Sequence, residues 1–364
     1  MINKLIDKGV RIPCPSSVVL EDICPDNIQP GSVIYPGTIL RGETTYIGRD
    51  AVIGEGGGAL IENAQIGNHA RIMQGTYRDC TLLERTIVRN GAEIREGTLM
   101  EEGAELGHTC GLKQTIFFPD VVAGSLINFC DALIAGGTSR KSHSEIGSCM
   151  ALYNYTPQGD KFASIFGDVE HGVLLRQKPV FIGGQTQIVS PVRVGFGALI
   201  AAGSKLNRNV DADTMVANPG HEISRDFNNA VVWNPDFKVD NTRFYIQQLE
   251  LLKTWYENVR VPVFENTEQS KVIESALRRI QSGIDERKKR LGKFIDKLPK
   301  SLEIHRQNKN EKEVVRHQRA LYLASMPIPV QPPWHFKDMV PKIIQSMHEG
   351  KSYPEAIRML DVIS

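Results

Sequence analysis

Phe181-Ile-Gly-Gly-Gln-Thr-Gln-Ile-Val-Ser-Pro-Val-Arg-Val-Gly-Phe-Gly-Ala-Leu-Ile-Ala-Ala-Gly203 is the stretch whose reading decides the fold. In it and just beyond, Ile182, Ile188, Val194, Ile200 and Leu206 fall six apart. Four residues after each comes a small or β-branched one: Thr186, Val192, Ala198, Ser204 and Val210. An amphipathic helix cannot hold this period on one face, because six steps of about 100° leave a side chain roughly 120° off. An isolated strand predicts alternation instead. A triangular parallel coil fits both facts, with one short strand per side, one large and one small residue pointing in, and a tight turn at each corner. Gly183, Gly184, Gly195, Gly203 and Asn207 are expected at those corners, where the backbone must be permissive.

The same signal recurs upstream at Ile28, Ile34 and Leu40, slips by one residue to Ile47 and Ile53, and returns at Ile66, Ile72, Ile94, Leu106 and Ile146. Slips in a solenoid map to loops that leave the coil. The two largest run from Thr138 to Glu145 and from Thr156 to Pro179. The fold class is therefore a left-handed parallel β-helix of hexapeptide repeats over residues 28–220, after a lead-in of 1–27. Met215-Val-Ala-Asn-Pro-Gly220 ends the regularity, and an all-α domain over 221–364 follows. Helical spacing marks residues 242–259, about 268–298, 310–325 and the last stretch from Phe336; Val272, Ile273, Ala276, Leu277, Ile280 and Ile284 line one face of the second. Pro327, Pro329, Pro332 and Pro333 predict a rigid linker before the final helices. The run Arg287-Lys-Lys-Arg290 is read as the solvated side of its helix.

Length supports two units, since 364 residues exceed what one core usually grows to. With 23% charged residues and a formal net charge of +1, nothing points to nucleic acid or an anionic membrane as partner. No apolar run is long enough to span a bilayer, and Met1 to Lys8 lacks the apolar core of a signal peptide, so a cytoplasmic protein is expected. Cys14, Cys24, Cys80, Cys110, Cys130 and Cys149 form no C-x-x-C pair; they are read as small buried hydrophobes in a reducing compartment, and no metal site is expected.

From Ala92 to Val210 the chain resembles the acetyltransferase half of the bifunctional enzyme that makes UDP-N-acetylglucosamine. The residues that carry the likeness are the Gly-x-x-Thr-Gln run at Gly183–Gln187, Ser190-Pro191, and Asn154-Tyr155 followed by Lys161-Phe162. The resemblance implies a β-helix that acetylates glucosamine-1-phosphate from acetyl-CoA as a homotrimer, with sites between neighbouring coils. Carried over residue by residue, it puts Arg95 and Lys113 on the sugar phosphate, Lys161 near the acceptor, and Asn154, Tyr155, Gly184 and Ala202 along the acyl-CoA. A phosphate needs such cations, and arginine can grip it with two parallel bonds.

Three matches fail. The family's catalytic histidine falls on Ser125, its neighbouring tyrosine on Asn128 and a sugar-contacting glutamate on Gly111. Ser125 and Asn128 are kept as substrate-binding candidates, but a serine hydroxyl alone is no general base near neutrality. His108, His143 and His171 are the possible replacements. His143 is preferred, because it sits in a coil interruption two residues from Glu145, whose carboxylate could orient the imidazole.

The first functional reading is an acyltransferase that uses acetyl-CoA or another acyl-CoA on a sugar-phosphate or nucleotide-sugar amine. The second is a non-catalytic binder of a nucleotide sugar or CoA-like ligand, or a scaffold trimer. A third makes the coil a trimerisation core and the helices the functional face. Uridylyl transfer is not expected, since no Gly-rich phosphate loop precedes the repeats.

Overall fold

The computed structural model describes residues 1–220 and 228–360, so residues 221–227 and 361–364 of the expected helical domain lie outside the described residues. The β part is a parallel solenoid of about 11 turns, followed by a helical C-terminal region. In its regular turns a strand pairs with the strand eighteen residues on, as Ile94 does with Leu112 and Ile182 with Ile200. All the six-apart residues read from sequence point inward and are buried, and so are Thr186, Val192, Ala198 and Ser204 between them.

The coil starts earlier than expected. Val19–Glu21 pairs with Ile39–Arg41, and Arg11 bridges to Val33, so the lead-in supplies the first turn. The interruptions are confirmed by register: Ala123 pairs with Ile146, and Ile146 with Ile182. A coil strand, Ser164–Phe166, nevertheless lies inside the second one. Gly203 has a positive φ, as expected of a corner, but two other glycines play a different part. Gly183 and Gly195 do not have positive φ; a Cβ on either would fall 2.3 Å from Ala202 N or 2.5 Å from Ala212 N. Close stacking of successive corners, not a left-handed turn, excludes a side chain there. Cys24 and Cys149 are exposed rather than buried, and all six cysteines are free thiols.

Three sides result, and they differ in what covers them. On the first, outward residues form the ladder Tyr46, Gln65, Thr81, Leu99, Ile116, Leu133 and Ile165, every one buried. The inward residues beside them, such as Met100, Phe117 and Phe166, are buried as well, as expected of a sheet packed on both faces. The cover is helical, from α1 (Pro235–Trp255), α2 (Ser270–Ile295), α5 (Phe336–His348) and α6 (Tyr353–Arg358), while α3 (Leu298–Gln307) and α4 (Glu311–Ser325) pack on α1 and α2. Helix α2 lays Val272, Ile273, Ala276, Ile280 and Ile284 toward the coil, and its Ser275 bonds Thr81 and Gln65. This is the docked side. One hydrophobic cluster joins the coil to α1, α2, α5 and α6, and a second, around Phe162, Phe294, Leu298 and Ala320, joins a coil loop to α2, α3 and α4.

Helix α3 has no counterpart in the sequence reading, because Leu-Pro-Lys-Ser-Leu-Glu-Ile-His-Arg-Gln shows too few apolar positions to reveal a period. The proline linker carries no regular structure and is held by Arg243, which donates to the Met326 and Pro327 carbonyls at 2.7 Å each. Arg287 corrects the reading of its basic run. It falls three residues after Ile284 on the apolar stripe and is buried, paired with Asp131.

Candidate functional site

The second side carries a charged outer row. Glu21, Arg41, Glu62 and Arg78 occupy successive turns in register, with alternating sign. Arg78 Nε lies 2.9 Å from Glu62, and Arg41 bridges Glu21 and Glu62 at 2.5 and 3.8 Å. Alternation then fails. Arg95 follows Ile94, which pairs with Tyr77, just as Arg78 follows Tyr77. Lys113 comes next, because Ile94 also pairs with Leu112. Three cations thus stand on consecutive turns. We term this the cationic side.

Their partners differ. Arg78 has Glu62, and Lys113 has Glu96. Arg95 has no carboxylate among the described residues; its Nη2 reaches only the Cys130 sulfur at 3.9 Å, and its Nε is buried with no hydrogen-bond partner. Nε is also left unpaired on Arg193, Arg260, Arg279 and Arg358, so what sets Arg95 apart from its neighbours Arg78 and Lys113 is the missing carboxylate. Cys130 is in register with Lys113 and donates to Asn128 Oδ1 at 3.2 Å. Burial pushes its thiol pKa up, which keeps the sulfur uncharged between the cations.

The cationic side has two edges. One is the ridge opposite the docked side, a stacked corner where Leu126 N donates to His108 O, Cys149 N to Ser125 O and Gln185 N to Ser148 O. His108, Ser125, Gly184 and Ala202 lie along it. Ser125 Oγ accepts from His108 N at 3.2 Å, and both residues line a cleft of about 830 Å³ shared with Asn90, Thr109 and Gly124. The other edge is the loop corner. There buried Asp131, in a left-handed turn, accepts from Asn154 Nδ2 and from Arg287 of α2. Tyr155 is exposed and bridges to Lys161 across the loop.

Arg95, Lys113, Asn128, Ser125, Gly184, Ala202, Asn154 and Tyr155 therefore lie on one side or its two edges. Lys161 does not face Arg95. It lines a separate cleft of about 370 Å³ with Arg290, Lys293 and Lys297, where Lys297 donates to Asp160 at 2.6 Å. His143 and Glu145 are also elsewhere. His143 lies on a hairpin (Gly137–Ser139 with Ser142–His143) at the corner between the docked and third sides. The expected orienting contact is absent: Nδ1 of His143 lies 2.8 Å from the Arg140 carbonyl, and no hydrogen bond or ion pair joins it to Glu145. Hairpin geometry places the two side chains in different strands, so their spacing of two does not put them on one face.

Sequence reasoning missed Asp131 and Arg287. Only the helical phase 280–284–287 could have flagged the arginine as inward. One further group could hold a metal ion: His305, Glu313 and His317, buried between α3 and α4, with ligand atoms within 4.8 Å of one another. Their polar atoms already have partners, since His317 Nδ1 donates to Glu313 O at 2.7 Å, Nε2 meets Ser301 Oγ at 2.9 Å, and His305 Nε2 meets Val232 O at 3.0 Å. Among the described residues no helix is long and apolar enough to cross a membrane.

No family model matches the chain. The bifunctional protein GlmU of Exiguobacterium sp. is 29% identical over 214 residues, 58% of this chain and 42% of that protein. GlmU of Staphylococcus haemolyticus is 29% identical over 219 residues, 60% of this chain and 44% of its own. The chain thus spans less than half the length of these relatives. Among solved structures, the Arabidopsis UDP-N-acetylglucosamine acyltransferase is 14% identical, with 76% of this chain and 96% of that one covered at a TM-score of 0.25. This chain is thus similar to GlmU proteins at about 29% identity over 214 to 219 residues.

Proposed function

We propose that the chain is an acyl-CoA-dependent acyltransferase acting on the amine of a sugar phosphate or nucleotide sugar, with acetyl-CoA as the first donor to test. The observation that carries this reading is Arg95, a half-buried guanidinium without a carboxylate, beside Lys113 and Asn128 on the side where charge alternation fails. A phosphate seated there would accept from Arg95 and Lys113 and draw Lys113 from Glu96. The sequence similarity to GlmU supports the class. Gly184 and Ala202 on the ridge, with Asn154 and Tyr155 at the loop corner, would flank the acyl donor. Helices cover the side opposite the ridge, which leaves the ridge free to meet neighbouring coils in a homotrimer.

Titration of the protein with glucosamine-1-phosphate tests the acceptor site. Charge-assisted bonds contribute about 1.5–3 kcal/mol, so Arg95→Ala or Lys113→Ala should weaken binding by roughly 10- to 150-fold at an unchanged melting temperature. Equal affinity in wild type and both variants would remove the site. A second reading, a non-catalytic binder of the same ligands, is favoured by Ser125 and Gly111 standing where the family has a histidine and a glutamate. Tight binding of both ligands without turnover would select it.

A further inference from the structure

Lys161 does not join the cationic side, and the cleft that takes it is built by the helical layer as much as by the coil. Asp160 and Lys161 come from the coil loop, Arg290 and Lys293 from α2, and Asp296 and Lys297 from the short link into α3. Three of these four cations lie beyond Val210, outside the stretch that carries the resemblance. We propose that this cleft is a second anion site, separate from the cationic side, which takes the diphosphate diester of a nucleotide-type ligand.

Its two walls are fixed from behind. Phe162 of the loop and Phe294 of α2 are buried and pack edge to face, with centroids 5.1 Å apart. Lys161 precedes the one and Lys293 the other, so this contact sets the backbone from which each lysine reaches out. Thr156 N donates to Asp160 O at 2.9 Å and closes the loop. Lys297 Nζ donates to the buried Asp160 carboxylate at 2.6 Å and to Gln158 O at 2.8 Å. A cleft held in this way loses little freedom when a ligand enters.

Charge indicates which ligand. Four cations face two carboxylates, which leaves two positive charges in excess. Asp160 is taken up by Lys297, and Glu286, from outside the cleft, holds Arg290 through Nε alone at 2.7 Å. Among the described residues the Nη atoms of Arg290 and the ammonium groups of Lys161 and Lys293 have no hydrogen-bond partner. Behind them Nζ of Lys238, on α1, lies 5.5 and 5.8 Å from the centroids of Phe162 and Phe294, a fifth positive charge with no ion pair among the described residues. Lysines near the end of α2 suit the negative pole of that helix, but Lys161 and Lys238 come from other elements and gain nothing from it. Like charges gathered in one concavity repel one another and concentrate anions there. A diphosphate diester carries one negative charge on each phosphorus near neutrality and so matches the excess. At about 370 Å³ the cleft also has the size of a small-molecule site. Coenzyme A and nucleotide sugars both carry this linkage.

Calorimetric titration of the full-length protein tests the site, in an Arg95→Ala/Lys113→Ala background that silences the cationic side. The probes are coenzyme A, UDP-N-acetylglucosamine and inorganic pyrophosphate. At least one of the two diesters should still bind, and adding Lys161→Ala with Lys293→Ala should weaken it at least about a hundredfold at an unchanged melting temperature. The diester that binds more tightly identifies the source of the linkage. Lys289→Ala, exposed on α2 outside the cleft, should leave the affinity within about threefold. Absence of diester binding in the starting background overturns the proposal, as does equal affinity with and without the two lysines. Either result leaves the reading of Arg95 and Lys113 as it stands. Binding of inorganic pyrophosphate alone overturns the diester as the ligand.

Discussion

Leu133 and Leu199 occupy equivalent positions on two sides of the same coil. Each points outward one residue before an inward isoleucine, Ile134 or Ile200. Leu133 is fully buried under the helical layer, whereas Leu199 is 38% exposed on the third side, in a row with Phe181 and Met215. A buried leucine of this kind adds about 1.5–3 kcal/mol over an exposed one. The solenoid repeat governs only what points in. What happens to the outward residue depends on docking. One side has been spent on a helical cover, and the other two, with the ridge between them, remain available for ligands or for another copy of the chain.

The strongest way to break this contrast is to cut the link by which the cover reaches past its own side. Arg287 extends from α2 to buried Asp131 at the loop corner, and Asp131 in turn holds Asn154. Removing one partner of a buried ion pair leaves the other charge uncompensated and typically costs about 3–5 kcal/mol. Arg287→Ala should lower stability by that amount in a urea titration. Replacing the pair together, as Arg287→Met with Asp131→Leu, should restore most of it. If the single variant loses under about 1 kcal/mol, the helical layer does not support the loop corner.

The inward half of this architecture was legible because aliphatic residues recur six apart with no interruption between Ile182 and Leu206. Upstream, Tyr77, Met100, Phe117 and Phe129 fill the same inward positions and hide the period, although they are just as buried. The docked side could not be read at all. Its signal, apolar residues such as Leu99 and Ile116 where polar ones are allowed, is indistinguishable in sequence from the exposed Phe181, Leu199 and Met215. Arg95 and Lys113 were singled out through resemblance, and the coil sets them on consecutive turns of one side. His143 lies at a different corner from Arg95, because sequence spacing says nothing about which of three corners a loop leaves from.

A smaller effect should separate the interface beneath the helices from the bare sides by its response to pH. At the docked side Glu101 accepts from Tyr256 at 2.5 Å, and Glu102 takes both guanidinium nitrogens of Arg260 at 2.6 and 3.0 Å. Tyr353 packs on the same guanidinium. Burial raises the Glu101 pKa to about 7, against the pull of Arg260. The folded value lies above the ordinary carboxylate value, so this stability is complete below about pH 4.5 and is lost as pH rises through 7. The total is roughly 3 kcal/mol at most. Glu101→Gln should flatten the fall in urea midpoint between pH 5 and 7.5. An equally steep fall in the variant would assign it to another group.

The smallest effect on stability should fall on the third side, and there its meaning is assembly. Phe181, Leu199 and Met215 pair in consecutive turns and expose an apolar row that no helix covers among the described residues. On an isolated chain a polar replacement at such a position changes stability by no more than about 0.5 kcal/mol, because the side chain meets water in both states. If a neighbouring coil covers the row in a trimer, the same replacement buries a charge in an apolar contact, which the assembled state cannot accommodate. Leu199→Glu should therefore convert a trimer to a monomer in light scattering at micromolar concentration, while the urea midpoint of the monomer hardly moves. A variant that stays trimeric would place the contact elsewhere along the ridge. A wild type that is itself monomeric would remove the shared site between coils, and the ligands would then have to be held by the cationic side of a single chain.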